Sequence, residues 1–350
     1  KYFGSFPSLF IRQDEGEGPM ALPRGHYVKD DQVAVYHCTT RCVRRAFLCG
    51  FDSRSRRDFS HRRQWLEDRL RFLASLFAVD VCSFGIMDDH HHETLRTRPD
   101  IADSWSDDEV ARRWITLFPH GGGRKKDQAA DLRIRTILSS PDRVATLRAR
   151  LSSLSWFMRC LNEFIARAAN KEDGVKGRFW ESRFKCTVLL DQPSILTAMA
   201  YVDLNPVRAR IAPTPESSDF TSIQLRILSW CLHDPSSPTT ADPPDAWLCP
   251  IGPLPHNRGI LDMSLLEYFD FVDHSGRIFR ADKPGAIDPR LEPILVRLGI
   301  RSSAWPNTMS RFNSIFGLAA GTPSSLRTFA DQIGSRWVKG SAAAKTAFLS

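Results

Sequence analysis

The stretch VDVCSFGIMDDHHHETLRTRP, residues 79–99, decides how this chain is read. Its first half is rich in β-branched and aromatic residues, its middle is a pair of aspartates, and its second half runs to a proline. That pattern predicts a strand, a turn and a further strand. Side chains alternate along a strand, so His90 and His92 share one face while His91 points to the other. Upstream, VAVYHCTTR at 33–41 predicts a strand. A helix is predicted over 61–78, where Leu66, Leu70, Leu73 and Phe77 form an apolar face against Arg63, Asp68 and Arg71.

Downstream, residues 102–150 read as charged and partly helical. They are broken by HGGGRKK at 120–126, which lacks the ending of a phosphate-binding loop and reads as a flexible basic loop. A long helix is predicted over 155–170 and a short strand over 184–189. A last helix starts from the N-cap Asp191, carries Pro193 in its first turn, and ends at Asn205 before Pro206. Strand, helix, strand, strand, helix, strand, helix is the ferredoxin-like order with one helix appended. The expected class is therefore α+β, an antiparallel sheet with helices on one face, plus a smaller, mostly helical C-terminal region. The expected boundaries are an N-terminal arm at 1–21, the α+β domain at 22–228, a Pro/Ser/Thr-rich linker at 229–248 and a helical extension at 249–350. The extension carries a capping box at Ser264 and Glu267. Met20 offers a start of its own for the chain.

The chain has 350 residues, 42% of them hydrophobic and 25% charged. This excludes collagen-like, rod-like and wholly disordered proteins. No apolar run reaches the roughly 18 to 20 residues of a membrane helix, so no membrane role is expected. The net charge is +8, and the stretch 124–185 alone holds 15 basic and 7 acidic residues. Such a patch suits a polyanionic partner, or is a solvated basic helix face. The eight cysteines form no Cys-x-x-Cys pair and read as reduced, buried residues of a cytoplasmic protein rather than a zinc site.

Three features can carry chemistry. His90 and His92 can converge on one cation, or form a polar, solvent-facing strand start. On the helix after Asp191, Ile195, Leu196, Met199 and Val202 fall on one side, and Thr197, Tyr201 and Asn205 on the other. Tyr201 is thus placed to reach a site on the sheet, or is a partly exposed amphipathic tyrosine. In RFWESRFK at 178–185, Arg178, Trp180, Arg183 and Lys185 suit phosphate contacts and base stacking, or the aromatics anchor a buried turn.

The segments YHCTTRCVRRAFLCG, IMDDHHHETLRTRPD, GRFWESRFK and AMAYVDLNPVRARI, in that order, resemble the REP-associated tyrosine transposases, bacterial members of the single-tyrosine HUH nuclease superfamily. The resemblance covers roughly residues 22–228 as a catalytic domain, and the tail resembles the extension of longer relatives. It implies His90 and His92 as metal ligands, Tyr201 as nucleophile and Asn205 as third ligand, with Mg²⁺ or Mn²⁺ as the cofactor. It also implies single-stranded DNA with hairpin repeats as partner, cut to leave a 5′-phosphotyrosine, and a place at the bacterial nucleoid. Arg44, Arg45, Arg178 and Arg183 are the expected phosphate contacts. Whether the chain acts as monomer or homodimer is open.

Three residues depart from the family pattern. His91 and Glu93 stand where apolar residues face the core, and Asp89 stands where asparagine is usual. A buried unpaired carboxylate costs several kcal/mol or neutralises itself. These departures leave two alternatives to an active enzyme. One is a silent relative that binds repeat hairpins. The other is a metal-dependent hydrolase built on His90, His91 and Glu93.

Overall fold

The computed structural model describes residues 28–43, 48–53, 55–119, 126–232, 242–255, 258–278 and 285–294, with isolated positions between 323 and 345. The expected arm at 1–21, most of the loop at 120–126, Arg44 and Arg45, the middle of the linker and most of 295–350 lie outside the described residues.

Strand β1 (Ala34–Arg41) is followed by a two-residue ladder of β2 (Phe51–Asp52) and β3 (Arg57–Asp58), and then by helix α1 (Arg62–Leu76). The decisive stretch forms β4 (Val79–Ile86) and β5 (His90–Thr97), joined by a turn at Asp88 and Asp89. Four helices follow: α2 (Pro99–Ser104), α3 (Asp107–Leu117), α4 (Lys126–Leu138) and α5 (Pro141–Ser152). Then come α6 (Leu154–Glu172), β6 (Lys185–Leu189), α7 (Gln192–Asp203), α8 (Asn205–Arg208), α9 (Ser222–Leu232) and α10 (Leu265–Arg277). Asp191 caps α7 in a reciprocal capping box with Ser194, and Ser264 does the same for α10 with Glu267.

The four long strands form one antiparallel sheet in the order β4-β5-β1-β6. With the crossovers through α1 and α6, this is the ferredoxin-like topology expected from the element order. Alternation along each strand divides the core in two. Tyr36, Cys38, Phe84 and Leu95 pack with Leu66, Leu70 and Leu73 of α1 and with Phe157, Leu161 and Ile165 of α6. On the other face Val35 and Cys82 pack with Ile195 and Met199 of α7, Ile223 and Ile227 of α9, and Phe269 and Val272 of α10.

The expectation of helices on one face therefore holds for the crossover helices α1 and α6 and fails for α7, α9 and α10. The reason lies in α7 itself, where Ile195, Met199, Ala200 and Val202 are all buried and need an apolar surface to cover. Gly85 lets α7 come close, because a Cβ at this position would lie 3.0 Å from the Val202 carbonyl oxygen.

The C-terminal elements pack on this second face. Tyr268 of α10 donates its hydroxyl to the buried Asp203 at the end of α7, which also accepts from the Ser222 hydroxyl and from the Ile223 N–H. Arg208 of α8 donates to the carbonyls of Ser275 (2.6 Å) and Ile278 (2.7 Å), satisfying the C-terminal end of α10. The linker expected at 229–248 starts inside α9, and its end lies against β4: the Trp247 ring lies tilted against Phe84 with centres 5.3 Å apart, and the N–H of Cys249, just beyond it, donates to the Val81 carbonyl at 2.8 Å. Among the described residues, no helix is long and apolar enough to cross a membrane.

Candidate active site

Antiparallel pairing of β1 with β5 sets Arg41 opposite His90, Thr39 opposite His92 and His37 opposite Thr94. Directly paired residues point to the same face, so Arg41, Thr39, His37, His90 and His92 all lie on the side covered by α7. The His90 and His92 rings meet edge to face with centres 4.9 Å apart. Tyr201 stands edge-on to both His92 (5.6 Å) and His37 (5.8 Å). The structure therefore brings His90, His92 and Tyr201 together.

Each imidazole is held through Nδ1. Asp89 Oδ1 accepts from His90 Nδ1, since an ionised carboxylate can only accept. Burial pushes the Asp89 carboxyl up, but the hydrogen bonds and charges of His90 and Arg41 outweigh it and hold Asp89 below the usual carboxylate range. His92 Nδ1 lies 2.9 Å from Thr39 Oγ1 and 3.1 Å from His37 Nε2. Burial pushes His37 down to about 4, so it is neutral at pH 7 and its Nε2 can accept a hydrogen bond from His92 Nδ1. Both ligand candidates thus engage Nδ1 in hydrogen bonds to neighbouring side chains, an arrangement common in histidine ligation.

Asn205 is buried, and its Nδ2 donates to the Tyr201 carbonyl at 3.0 Å rather than to either imidazole. It was expected to mark the end of the tyrosine helix. Instead α7 stops at Asp203 and Asn205 opens α8. Among the described residues, no group of three or more His, Cys, Asp or Glu side chains is arranged to hold a metal ion. Two imidazoles and an amide are a different donor set: the facing rings of His90 and His92 supply the imidazoles, and Asn205 is buried at the start of α8.

His91 and Glu93 face away from this site, into the core between the sheet and α6. Both are fully buried, and His91 Nδ1 is hydrogen-bonded to Glu93 Oε1. The carboxylate expected to be unpaired has a partner two residues away. A hydrolase using His90, His91 and Glu93 together is excluded by this geometry, because the sheet separates His90 from the other two.

Lys185 lies opposite Thr39 in the β1–β6 register, so Lys185, Thr39 and His92 form one row across the site face. Arg178, Arg183 and Lys185 are exposed. Trp180 is half-buried: its indole N–H donates to the Asn162 carbonyl at 2.8 Å and its ring meets His91 at 5.3 Å. Phe179 is buried beside it, so these aromatics anchor the turn. Arg44 and Arg45 lie outside the described residues. Sequence reading missed His37, Thr39 and Arg41, although their spacing of two in YHCTTR places them on one strand face.

No family model and no curated protein matches the chain. Among solved structures, the chain is similar to a REP-associated tyrosine transposase bound to a REP hairpin, with 12% identity and a TM-score of 0.32, over 55% of this chain and 77% of the other.

Proposed function

We propose that this chain is a metal-dependent single-strand DNA endonuclease and strand transferase that cuts at hairpin-forming repeats with Tyr201 as its nucleophile. The observation that carries this reading is the meeting of the Tyr201 ring with His37 and His92 beside His90. The ordered motifs around these residues support it.

In this reading the Tyr201 oxygen attacks the scissile phosphorus. The new O–P bond leaves a 5′-phosphotyrosine and releases a 3′-hydroxyl. Attack by another 3′-hydroxyl reverses the step and joins the strands with no outside energy source. A phenol is a weak nucleophile at neutral pH. His90, His92 and Asn205 would hold Mg²⁺ or Mn²⁺, which when bound supplies the Lewis acidity that polarises the phosphate. A nitrogen-rich donor set favours Mn²⁺ over Mg²⁺. Exposed Arg178, Arg183 and Lys185 would hold the DNA backbone.

The test incubates the full chain with a labelled hairpin oligonucleotide and Mn²⁺, and looks for label at protein mass on a denaturing gel. A metal-dependent adduct absent from Tyr201→Phe is expected. An adduct that survives Tyr201→Phe would overturn the assignment. Binding without any adduct would leave a hairpin-binding protein.

A further inference from the structure

Asp89 occupies the turn between β4 and β5, and backbone hydrogen bonds fix that turn from three sides. Cys42 N–H donates to the Asp89 carbonyl, Cys49 N–H to the Asp88 carbonyl and Met87 N–H to the His90 carbonyl, each at 2.9 Å. The Asp89 side chain is only 14% exposed. Its Oδ2 accepts from Arg41 Nε at 3.0 Å and from Arg41 Nη2 at 2.6 Å, while its Oδ1 accepts from His90 Nδ1. Arg41 and His90 are themselves cross-strand partners. The three side chains therefore form a closed unit on one register position of the sheet.

We propose that Asp89 is a positioning residue for His90: clamped by Arg41, its carboxylate accepts the hydrogen bond from Nδ1–H, fixes that tautomer and turns the Nε2 lone pair into the site. The inference rests on the reading of His90 as a metal ligand. A carboxylate at the far nitrogen makes the ring more basic and its other nitrogen a stronger donor. An asparagine can accept the same proton but brings no charge and gives Arg41 no ionic partner. His92 Nδ1 instead meets the uncharged Thr39 Oγ1 and His37 Nε2, so the two imidazoles are held by different chemistry. The aspartate that departs from the family pattern is on this view a strengthened support for one ligand.

The test uses the full chain labelled with ¹⁵N-histidine, the variants Asp89→Asn, Asp89→Ala and Arg41→Gln, and Mn²⁺ as the metal probe. Ring nitrogen shifts in metal-free protein report each tautomer, and water-proton relaxation reports Mn²⁺ affinity. His90 should be protonated on Nδ1 in the wild type and lose that preference in Asp89→Ala, with Mn²⁺ binding weakened about 10- to 100-fold. Asp89→Asn and Arg41→Gln should keep the tautomer and weaken binding less. A His90 that stays protonated on Nδ1 in Asp89→Ala overturns the proposal. If Mn²⁺ binding is then lost as well, Asp89 is itself a ligand. A tautomer that follows residue 89 in a protein that binds no Mn²⁺ would uphold the positioning role and remove the metal reading.

Discussion

His91 Nδ1 and Glu93 Oε1 are hydrogen-bonded to each other in the core behind the sheet, on the face turned away from Tyr201. The chain of contacts continues from His91 Nε2 to Asn162 Oδ1 at 3.1 Å, and from Asn162 Nδ2 to Thr40 Oγ1 at 3.2 Å. With the amide donating to Thr40, its oxygen must accept, so His91 carries a proton on Nε2. Two polar residues at positions that suit apolar ones thus compensate each other, although Glu93 Oε2 has no hydrogen-bond partner among the described residues.

Removing one member of this pair should be worse than removing both. His91→Val or Glu93→Leu alone strands a buried polar partner and should cost about 3–5 kcal/mol. The double variant restores an apolar face and should lie near the wild type. Urea unfolding of all three gives the answer. A double variant whose loss equals the sum of the two single losses would show that the pair is not coupled.

Gly85 sits opposite His92 in the β4–β5 register, directly beneath the Val202 carbonyl. Adding a methyl group there should push α7 outward and carry Tyr201 with it. Gly85→Ala is expected to lower the yield of the DNA adduct at least about tenfold, since displacements well under 1 Å matter at a reacting centre. The accompanying stability loss should be about 1–3 kcal/mol, the usual range for overpacking. An adduct yield within twofold of wild type would mean that α7 is placed by other contacts.

Much of this architecture is legible from local pattern. The hairpin around Asp88 and Asp89, the order of strands and helices, the caps at Asp191 and Ser264, and the shared face of His90 and His92 all depend on residues close in sequence. What escapes such reading depends on pairing between distant segments. That His37 and Thr39 join the site follows only from the β1–β5 register, and alternation alone does not say which strands are neighbours. The burial of α7 against the sheet depends on Gly85, which in sequence looks like any strand glycine. The compensation of Glu93 by His91 was within reach, because residues two apart on a strand share a face.

His37 should give the protein an acid-sensitive stability. Burial pushes it from 6.5 down to about 4, so between these values the unfolded chain binds a proton that the folded chain does not. Stability from this group is complete above pH 6.5, falls as the pH drops, and is lost below about 4. The slope should reach about 1.4 kcal/mol per pH unit, with a total of no more than about 3 kcal/mol. His37→Gln should flatten the curve in that window by one proton, as measured by denaturant unfolding at a series of pH values. Parallel curves for the two proteins would mean that His37 is solvated in the folded state.

Lys185 shares a row with Thr39 and His92 across three strands, which at a strand spacing of about 4.8 Å puts its strand about 10 Å from that of His92. This is a suitable reach for a flexible ammonium to meet a phosphate next to the one that the proposed reaction would cut. Arg178 and Arg183 are exposed on the turn leading into the same strand. Each cation that contacts a phosphate displaces bound counterions, so each adds about 0.7 to the slope of log affinity against log salt on single strands. Lys185→Ala, Arg178→Ala and Arg183→Ala should each lower that slope by about this amount and weaken binding at low salt, whatever the sequence of the oligonucleotide. Because Lys185 is the one in the His92 row, its removal should also reduce adduct yield at saturating DNA, while the two arginine variants should recover full yield once saturated. If all three variants behave alike at saturation, Lys185 is a docking contact only, and the phosphate beside Tyr201 is held by other groups.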